Sequence, residues 1–494
     1  VSGERRLYLG LDVGTQGTKG VVLDFERGEV VASASSAYGL IEGLPEGAAE
    51  QHPATWEAAI RAVVAELFAR EGVRAAELAG IGVSGQQHGC VVLDERGEVI
   101  RPAKLWCDTS TASEARELSR ELGRSVPTGF TASKLLWLER REPANFARVR
   151  LVLLPHEWVN WRLTQRATAE PGDASGTGFF DVRARRYDRA ALAAIDPRLE
   201  SCLPTLIESH ELAGELTREG ARFLGLDEAA VGALVAAGGG DNMLSAIGSG
   251  AVEPVVATLS LGTSATVFAY SATPCIDPEG AIAPFCDSTG AWLPLLCVMN
   301  ATAVLTEIAE LLERDLASLT VAAQAAPAGC DGLLLVPYLV GERVPDLPLA
   351  CGVLHGLRPG NLRAGTLFRA ALEGVAFNLA WGFERLRALG LPMTSVRAVG
   401  GGARNSLWLA ILASALEVPV RPLARAEAGA LGAALQARWA RLLAHGGAKP
   451  SLAELARPWI HFDGAGVEPR DELVRLYRER SARFRELVGT LFSA

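Results

Sequence analysis

Apolar positions along this chain follow two rhythms. Near the start they come in short unbroken runs parted by turn residues: RRLYLGLDVG, then GTQGTKG, GVVLDF, ERGE and VVASASSAY. Short apolar runs bounded by Gly-rich turns predict strands joined as hairpins. ERGE returns at 95–98, between CVVLD and VIRPA, and predicts another hairpin. Residues 54–70, between these hairpins, repeat their apolar positions at helical spacing. In the second half the helical rhythm dominates. Residues 362–389 set Phe368, Leu372, Val375, Leu379 and Phe383 near one face, and 406–416, 427–443 and 470–491 follow. Meanders followed by helices predict an α/β fold of mixed sheets with helical cover.

A weak internal repeat organises these elements. LDVGTQGTKGVV at 11–22 overlays LSLGTSATVFAY at 259–270, matching Asp12 with Ser260, Gly14 with Gly262, Thr15 with Thr263 and Thr18 with Thr266. Each copy lies in an apolar–turn–apolar hairpin. At 494 residues the chain is too long for one core. The repeat therefore predicts two related domains meeting near residue 250, each lending a hydroxyl-rich turn to a shared cleft.

Composition narrows the function class. Apolar residues make up 49% of the chain, ample for large cores, and the formal charge of −9 offers no basic face to a nucleic acid. Only four of the 48 basic residues are lysines, so Lys19 and Lys134, which fall inside motifs, stand out. The eight cysteines show no CxxC spacing and predict buried thiols in a reducing compartment. Residues 254–276 and 288–306 lack charge, but their Pro and turn residues predict strands rather than membrane spans. VSGERRLYLG runs into a strand without a secretory signal, and the expected location is the cytoplasm.

Several motifs carry chemistry. In DVGTQGTKG, Gly14, Thr15, Gln16, Thr18 and Lys19 form a turn able to point N–H and hydroxyl groups at an anion, though it is neither a P-loop nor a dinucleotide fingerprint. Gly262 and Thr263 repeat it. Asp12, at the strand end beside the turn, suits Mg2+, directly or through water; as a bland alternative it caps the turn. GGGARNSLW places Gly400, Gly401 and Gly402 before a helix, where a flat base or ribose could pack, with Ala403 and Asn405 following. EAGALGAAL lines one helix face with small residues, which suits helix packing better than a nucleotide. GQQHG brings Gln87 and His88 to a strand end, an amide and an imidazole suited to sugar hydroxyls. Trp106 and Asp108 add an aromatic and a carboxylate, although a Trp is more often core. GGGDN puts Asp241 at a helix N-terminus, where an ionised carboxylate could accept an alcohol's proton during phosphoryl transfer. A plain N-cap explains Asp241 equally well in isolation.

In this order, GLDVGTQGTKG, GQQHG, FTASKLLWL at 130–138, GGGDN, SLGTS, YLVGERVPDLP, GGGARNSLW and EAGALGAAL resemble the FGGY carbohydrate kinases over roughly residues 7–443. FTASKLLW resembles that family's first signature, with Lys134 and Trp137 in register. The resemblance implies two ribonuclease-H-like domains of the actin, hexokinase and sugar kinase superfamily around a central cleft. Residues 1–250 would bind sugar and carry the catalytic Asp, and 251–494 would bind nucleotide. It implies ATP and Mg2+, with Asp241 as proton acceptor and Asp12 supporting the metal and the phosphates. Gln87, His88 and Asn242 would meet the sugar, and Gly401, Gly402, Ala403 and Asn405 the nucleotide. DASG at 173–176 fits a sugar-side loop. GQQHG resembles the loop of members acting on D-xylulose, and the Arg-Glu pair of glycerol-specific members is absent. The expected reaction is thus ATP-dependent phosphorylation of D-xylulose. A kinase for another small ketose or polyol, or a non-catalytic actin-like switch, is the alternative. No nucleic-acid or membrane partner is expected, and a homodimer would be unsurprising. Cys107 stands where some relatives carry Asn, and Val344 and Asp346 loosen the family's Gly-Glu-Arg-Thr-Pro-His pattern; both bear on the choice of sugar.

Overall fold

In the computed structural model, which describes residues 6–425, 427–446 and 450–492, the opening hairpins form β1 (Leu7–Val13), β2 (Gly17–Asp24) and β3 (Glu29–Ala37). The predicted helix is α1 (Pro53–Phe68), which packs on β2 and β3. After it β4 (Leu78–Gly85) runs parallel to β1. An excursion of short elements follows, including α2 (Thr131–Arg141) and α3 (Pro155–Thr164). The chain then returns as β5 (Leu212–Glu215), β6 (Leu234–Ala236) and the two-residue β7 (Gly239–Gly240). The sheet runs β5-β6-β4-β1-β2-β3, with β7 also paired to β4. From β7 the chain enters α4 (Asp241–Ser249).

The second sheet contains β8 (Val256–Leu261), β9 (Ala265–Ala269), β10 (Ala283–Cys286), β11 (Trp292–Val298), β12 (Ser395–Val399) and β13 (Val420–Pro422). Its order is β10-β11-β9-β8-β12-β13. Helices α5 (Ala364–Ala388), α6 (Ser406–Leu416), α7 (Ala428–Ala444) and α8 (Asp471–Phe492) fall close to the four predicted from spacing. The charge-free stretches hold β8, β9 and β11, and among the described residues no helix is long and apolar enough to cross a membrane. All eight cysteines are free thiols.

The sequence repeat is a repeat of topology. Strands β3-β2-β1-β4-β6 and β11-β9-β8-β12-β13 share one plan: two antiparallel pairings, then two parallel ones. One predicted match shifts. Gly14 N–H closes the first turn on Gly17 O, whereas Gly262 N–H closes the second on Ser264 O. The second turn is one residue shorter, so Thr266 faces Ser260 where Lys19 faces Asp12. Lys19, not Thr18, is the counterpart of Thr266.

Each sheet has its own core: α1 and α3 cover the first, and α5, α6 and α8 the second. A third cluster joins them through α4 and α7, taking in Tyr8 and Leu23 from one sheet and Phe268 and Leu293 from the other. Helix α7 lies on β1, β4 and α4. Glycines make that seat possible. A Cβ at Gly10 or Gly82 would stand 1.9 Å from the carbonyl oxygen of Ala430 or Ala433, and one at Gly432 would stand 1.8 Å from Leu244 O. EAGALGAAL is thus a helix-packing face.

Candidate active site

Three neighbouring strands end at one place. Asp12 lies opposite Ser84 across β1 and β4, and Ser84 lies opposite Gly239 across β4 and β7. Asp12, the GQQHG loop and Asp241 therefore converge at the carboxyl ends of parallel strands, where α/β sheets receive ligands.

Asp241 is the first residue of α4, and the extended backbone of Gly240 leads into it. Asn242 donates to Asp241 Oδ1 from its N–H at 2.8 Å and from Nδ2 at 3.0 Å. The same Nδ2 donates to Gln87 Oε1 at 2.9 Å, and Thr266 of the second half donates to Asn242 Oδ1 at 3.2 Å. The carboxyl of Asp241 is pushed up to about 8, first by burial and then by Asp12 and Asp173, although part of the residue stays open to solvent. This corrects one expectation: the helix N-terminus does not keep Asp241 firmly ionised, because desolvation and two neighbouring carboxyls outweigh it. Asp12 is also raised by burial, against the pull of Ser84 Oγ at 2.7 Å and the charge of Lys19.

The sugar-loop candidates behave differently from one another. His88 adopts a left-handed backbone, φ 64°. Its carbonyl accepts from Lys134 Nζ at 2.6 Å and Thr131 Oγ1 at 3.2 Å, which hold it there. Lys134 is buried, also donates to Gly129 O at 2.6 Å, and is pushed down to about 7 by desolvation. The His88 ring packs against Phe130 and, from the second half, Phe285, with centroids 4.7 and 5.6 Å away. Gly176 of DASG lies beneath it; a Cβ there would stand 2.1 Å from Cε1. Burial, Lys134 and Arg343 keep the imidazole neutral, well below its ordinary pKa. Gln87 is buried, its Oε1 turned to Asn242.

Trp106 Nε1 donates to Thr15 Oγ1 at 2.9 Å, and Thr15 Oγ1 donates to Gln86 Oε1 at 3.0 Å. Gln51 completes the stitching, donating to Thr15 O at 2.7 Å and accepting from Gln86 Nε2 at 2.9 Å. The turn and the sugar loop are thus one network, and Gln16 stays exposed at its rim. Asp108 is not brought to this place. Its carboxylate is fully buried and accepts from Ala49 N–H, Ser110 and Lys104. Thr18 is also fully buried, its hydroxyl 3.3 Å from that of Tyr38. Cys107, between Trp106 and Asp108, is half-buried with its thiol raised by burial.

On the second sheet Gly262 and Thr263 are exposed. Their carbonyls accept from the N–H groups of Thr302 and Ala301, both at 3.0 Å. Gly400, at φ 89°, passes so close to this turn that a Cβ would stand 2.6 Å from Leu261 O. Gly401 is exposed, whereas Gly402 and Ala403 are buried. Asn405 caps α6, accepting from Trp408 N–H at 3.0 Å and donating to Thr320 Oγ1 at 3.0 Å. At the other end of the site Gly429 of α7 abuts Asp12: a Cβ would stand 2.7 Å from its carboxyl carbon. Sequence reasoning missed Gln51 and the buried His156, neither of which lies in a Gly-rich or otherwise punctuated motif, and gave no site role to Thr266 of the repeat or to Arg343 of YLVGERVPDLP.

Residues 7–248 match the FGGY family of carbohydrate kinases, N-terminal domain, and residues 257–441 match the C-terminal domain. The chain belongs to this family. It is 36% identical to a xylulose kinase of Haemophilus influenzae, covering 98% of this chain and all of that one, and 39% identical to one of Streptomyces coelicolor over 88% of each. Among solved structures, a xylulose kinase from Rhodospirillum rubrum superposes with a TM-score of 0.86 at 29% identity, covering 98% of this chain and 99% of that one. The chain is accordingly a phosphotransferase with an alcohol acceptor that uses ATP.

Proposed function

We propose that the protein transfers the γ-phosphoryl group of ATP to the terminal hydroxyl of D-xylulose, giving D-xylulose 5-phosphate and ADP. The observation that carries this is the placement of Asp241. Its carboxyl can exchange a proton near neutrality, and Asn242 ties it to the sugar loop through Gln87 and to the second sheet through Thr266. The xylulose kinases that the chain resembles supply the choice of sugar.

In this reading residues 1–250 hold the sugar and 251–494 the nucleotide. Asp241 accepts the proton of the attacking hydroxyl, and His88, as a neutral imidazole, can both donate to and accept from sugar oxygens. The exposed Gly262, Thr263 and Gly401 offer backbone to the phosphates and the nucleoside. Asp12 and Asp241 crowd one another enough to raise the latter, a setting that suits a divalent cation, and Mg2+ takes one or two carboxylates together with substrate phosphates. Asp12 would hold it, and the ion would neutralise charge on the phosphates. The cytoplasm is the compartment this implies, and a homodimer is the assembly to look for by light scattering.

ADP release from magnesium-ATP tests the reading against D-xylulose, D-ribulose, L-xylulose, L-ribulose, xylitol, D-arabitol and glycerol. D-xylulose should give the highest kcat/KM. Preference for another member would keep the kinase and overturn the sugar; no sugar-dependent release would overturn both.

A further inference from the structure

Beneath the sugar loop lies a buried pair that the reaction so far leaves idle. His156, on α3, and Asp173, in the helical turn Pro171–Ala174, are both fully buried, with His156 Nδ1 2.7 Å from Asp173 Oδ2. The two share one proton across that contact. The backbone of the turn is fixed as well, because Glu170 accepts from Gly172 N–H at 2.8 Å and Asp173 N–H at 2.6 Å.

The other oxygen, Asp173 Oδ1, is buried without a hydrogen-bond partner, and so is Gln87 Nε2. Both side chains flank Gly240, where a Cβ would stand 2.7 Å from Gln87 Cγ and 3.1 Å from Asp173 Oδ1. Burial raises the Asp173 carboxyl, against the downward pull of the Gln87 amide. The far end of the amide is committed, since Gln87 Oε1 accepts from Asn242 Nδ2, which also donates to Asp241 Oδ1. An amide has a donor end and an acceptor end. With an acceptor-rich carboxyl on one side and an amide donor on the other, only one orientation of Gln87 satisfies both. An apolar neighbour in place of Asp173 would leave the amide free to turn.

We propose that Asp173, clamped by His156, is a positioning residue that fixes Gln87 and, through Asn242, the carboxylate of Asp241. The proposal rests on the reading of Asp241 as the base. It also gives Gln87 a second duty, as the link between a buried pair and the reacting carboxylate.

The test is steady-state kinetics of the full chain with D-xylulose and magnesium-ATP for Asp173→Leu, Gln87→Met and Asp241→Asn, and for Asp173→Leu and Gln87→Met each combined with Asp241→Asn. A base misplaced by a fraction of an ångström should cost roughly ten- to a hundredfold in kcat, with the KM for ATP unchanged. Residues that act as a unit are not additive, so in the Asp241→Asn background the further loss should be under about twofold. A purely structural role, or loss of a sugar contact alone, would lower activity equally in both backgrounds. A folded Asp173→Leu protein with normal kcat, or losses that multiply, would overturn the proposal. If Asp173→Leu does not fold, the Gln87→Met pair of backgrounds decides, because that variant leaves the buried pair intact. Normal turnover in Asp241→Asn would remove the base reading and this proposal with it. An inactive Asp241→Asn beside a normal Asp173→Leu would remove this proposal alone.

Discussion

Asp241 is a carboxyl whose surroundings make it a better proton acceptor than a free aspartate. Burial and the nearby Asp12 and Asp173 raise it to about 8. The sign follows from its role. Only the deprotonated form can take the hydroxyl's proton, so kcat/KM for the sugar should fall as the pH drops below about 8, with a single-proton slope. That ratio reports the free enzyme. A flat profile from pH 6 to 9 would contradict the assignment. Asp241→Asn, nearly isosteric, should cost roughly a hundred- to ten-thousandfold in kcat while leaving the circular dichroism spectrum unchanged. His88 shows what sequence alone can miss at this scale. GQQHG marked the residue, but its left-handed backbone, its neutral ring and the buried Lys134 clamp arise from contacts with residues 129–134 and 176. Asp108 and Thr18 show the converse: both have suitable chemistry in a suitable motif, yet their side chains point into the protein. Local sequence gives the alternation of a strand's faces; which face meets the ligand depends on what packs against it.

Among the elements, the regular ones were legible. The hairpins β1–β3 and helices α1 and α5–α8 lie near their predicted bounds, because each carries a sustained period and clear turn residues. In the excursion between β4 and β5 only the ERGE turn was, where Leu93 pairs antiparallel with Val99 and Asp94 N–H donates to Glu98 O; the other strands and helices there are short and buried on several sides, which blurs any period. The pair of His156 and Asp173 is hidden there, two residues of ordinary type brought together by α3 and the turn after it. Small residues give the sharpest expectation at this scale. Gly432→Ala would drive a Cβ into the Leu244 carbonyl and should destabilise the protein by about 1–3 kcal/mol or more. Gly401→Ala meets nothing nearer than Arg404 at 3.9 Å, so it should leave the melting temperature unchanged and raise the KM for ATP. Thermal melts and nucleotide kinetics on the two variants separate packing from binding. Equal melting temperatures would contradict the α7 seat, and an unchanged KM would remove Gly401 from the nucleotide site.

Over the whole molecule, contacts between the two halves near the site include the hydrogen bonds of Thr266 with Asn242, Ser288 with Glu170 and Cys286 N–H with Ser175, and the Phe285 ring beside His88. Gln87 and Asp173 are buried in this arrangement, so a sugar reaching the loop requires the sheets to part and then close, which also excludes water from the phosphoryl group. Small-angle scattering should give a smaller radius of gyration with D-xylulose and a non-hydrolysable ATP analogue than without ligands. Superimposable profiles would rule out such closure.

The seat of α7 has a further consequence, for the order in which the protein can be made. The sheet laid down by the first 240 residues receives its α7 cover only after residue 444 has been synthesised. Until then the grooves at Gly10 and Gly82 are unfilled, and the apolar side of α4, with Leu244 and Ile247, has no partner from α7. A growing chain on the ribosome must therefore carry an unfinished first half while the residues from 241 to 444 are added. That half is a natural client for chaperones, and it is completed only when α7 reaches it.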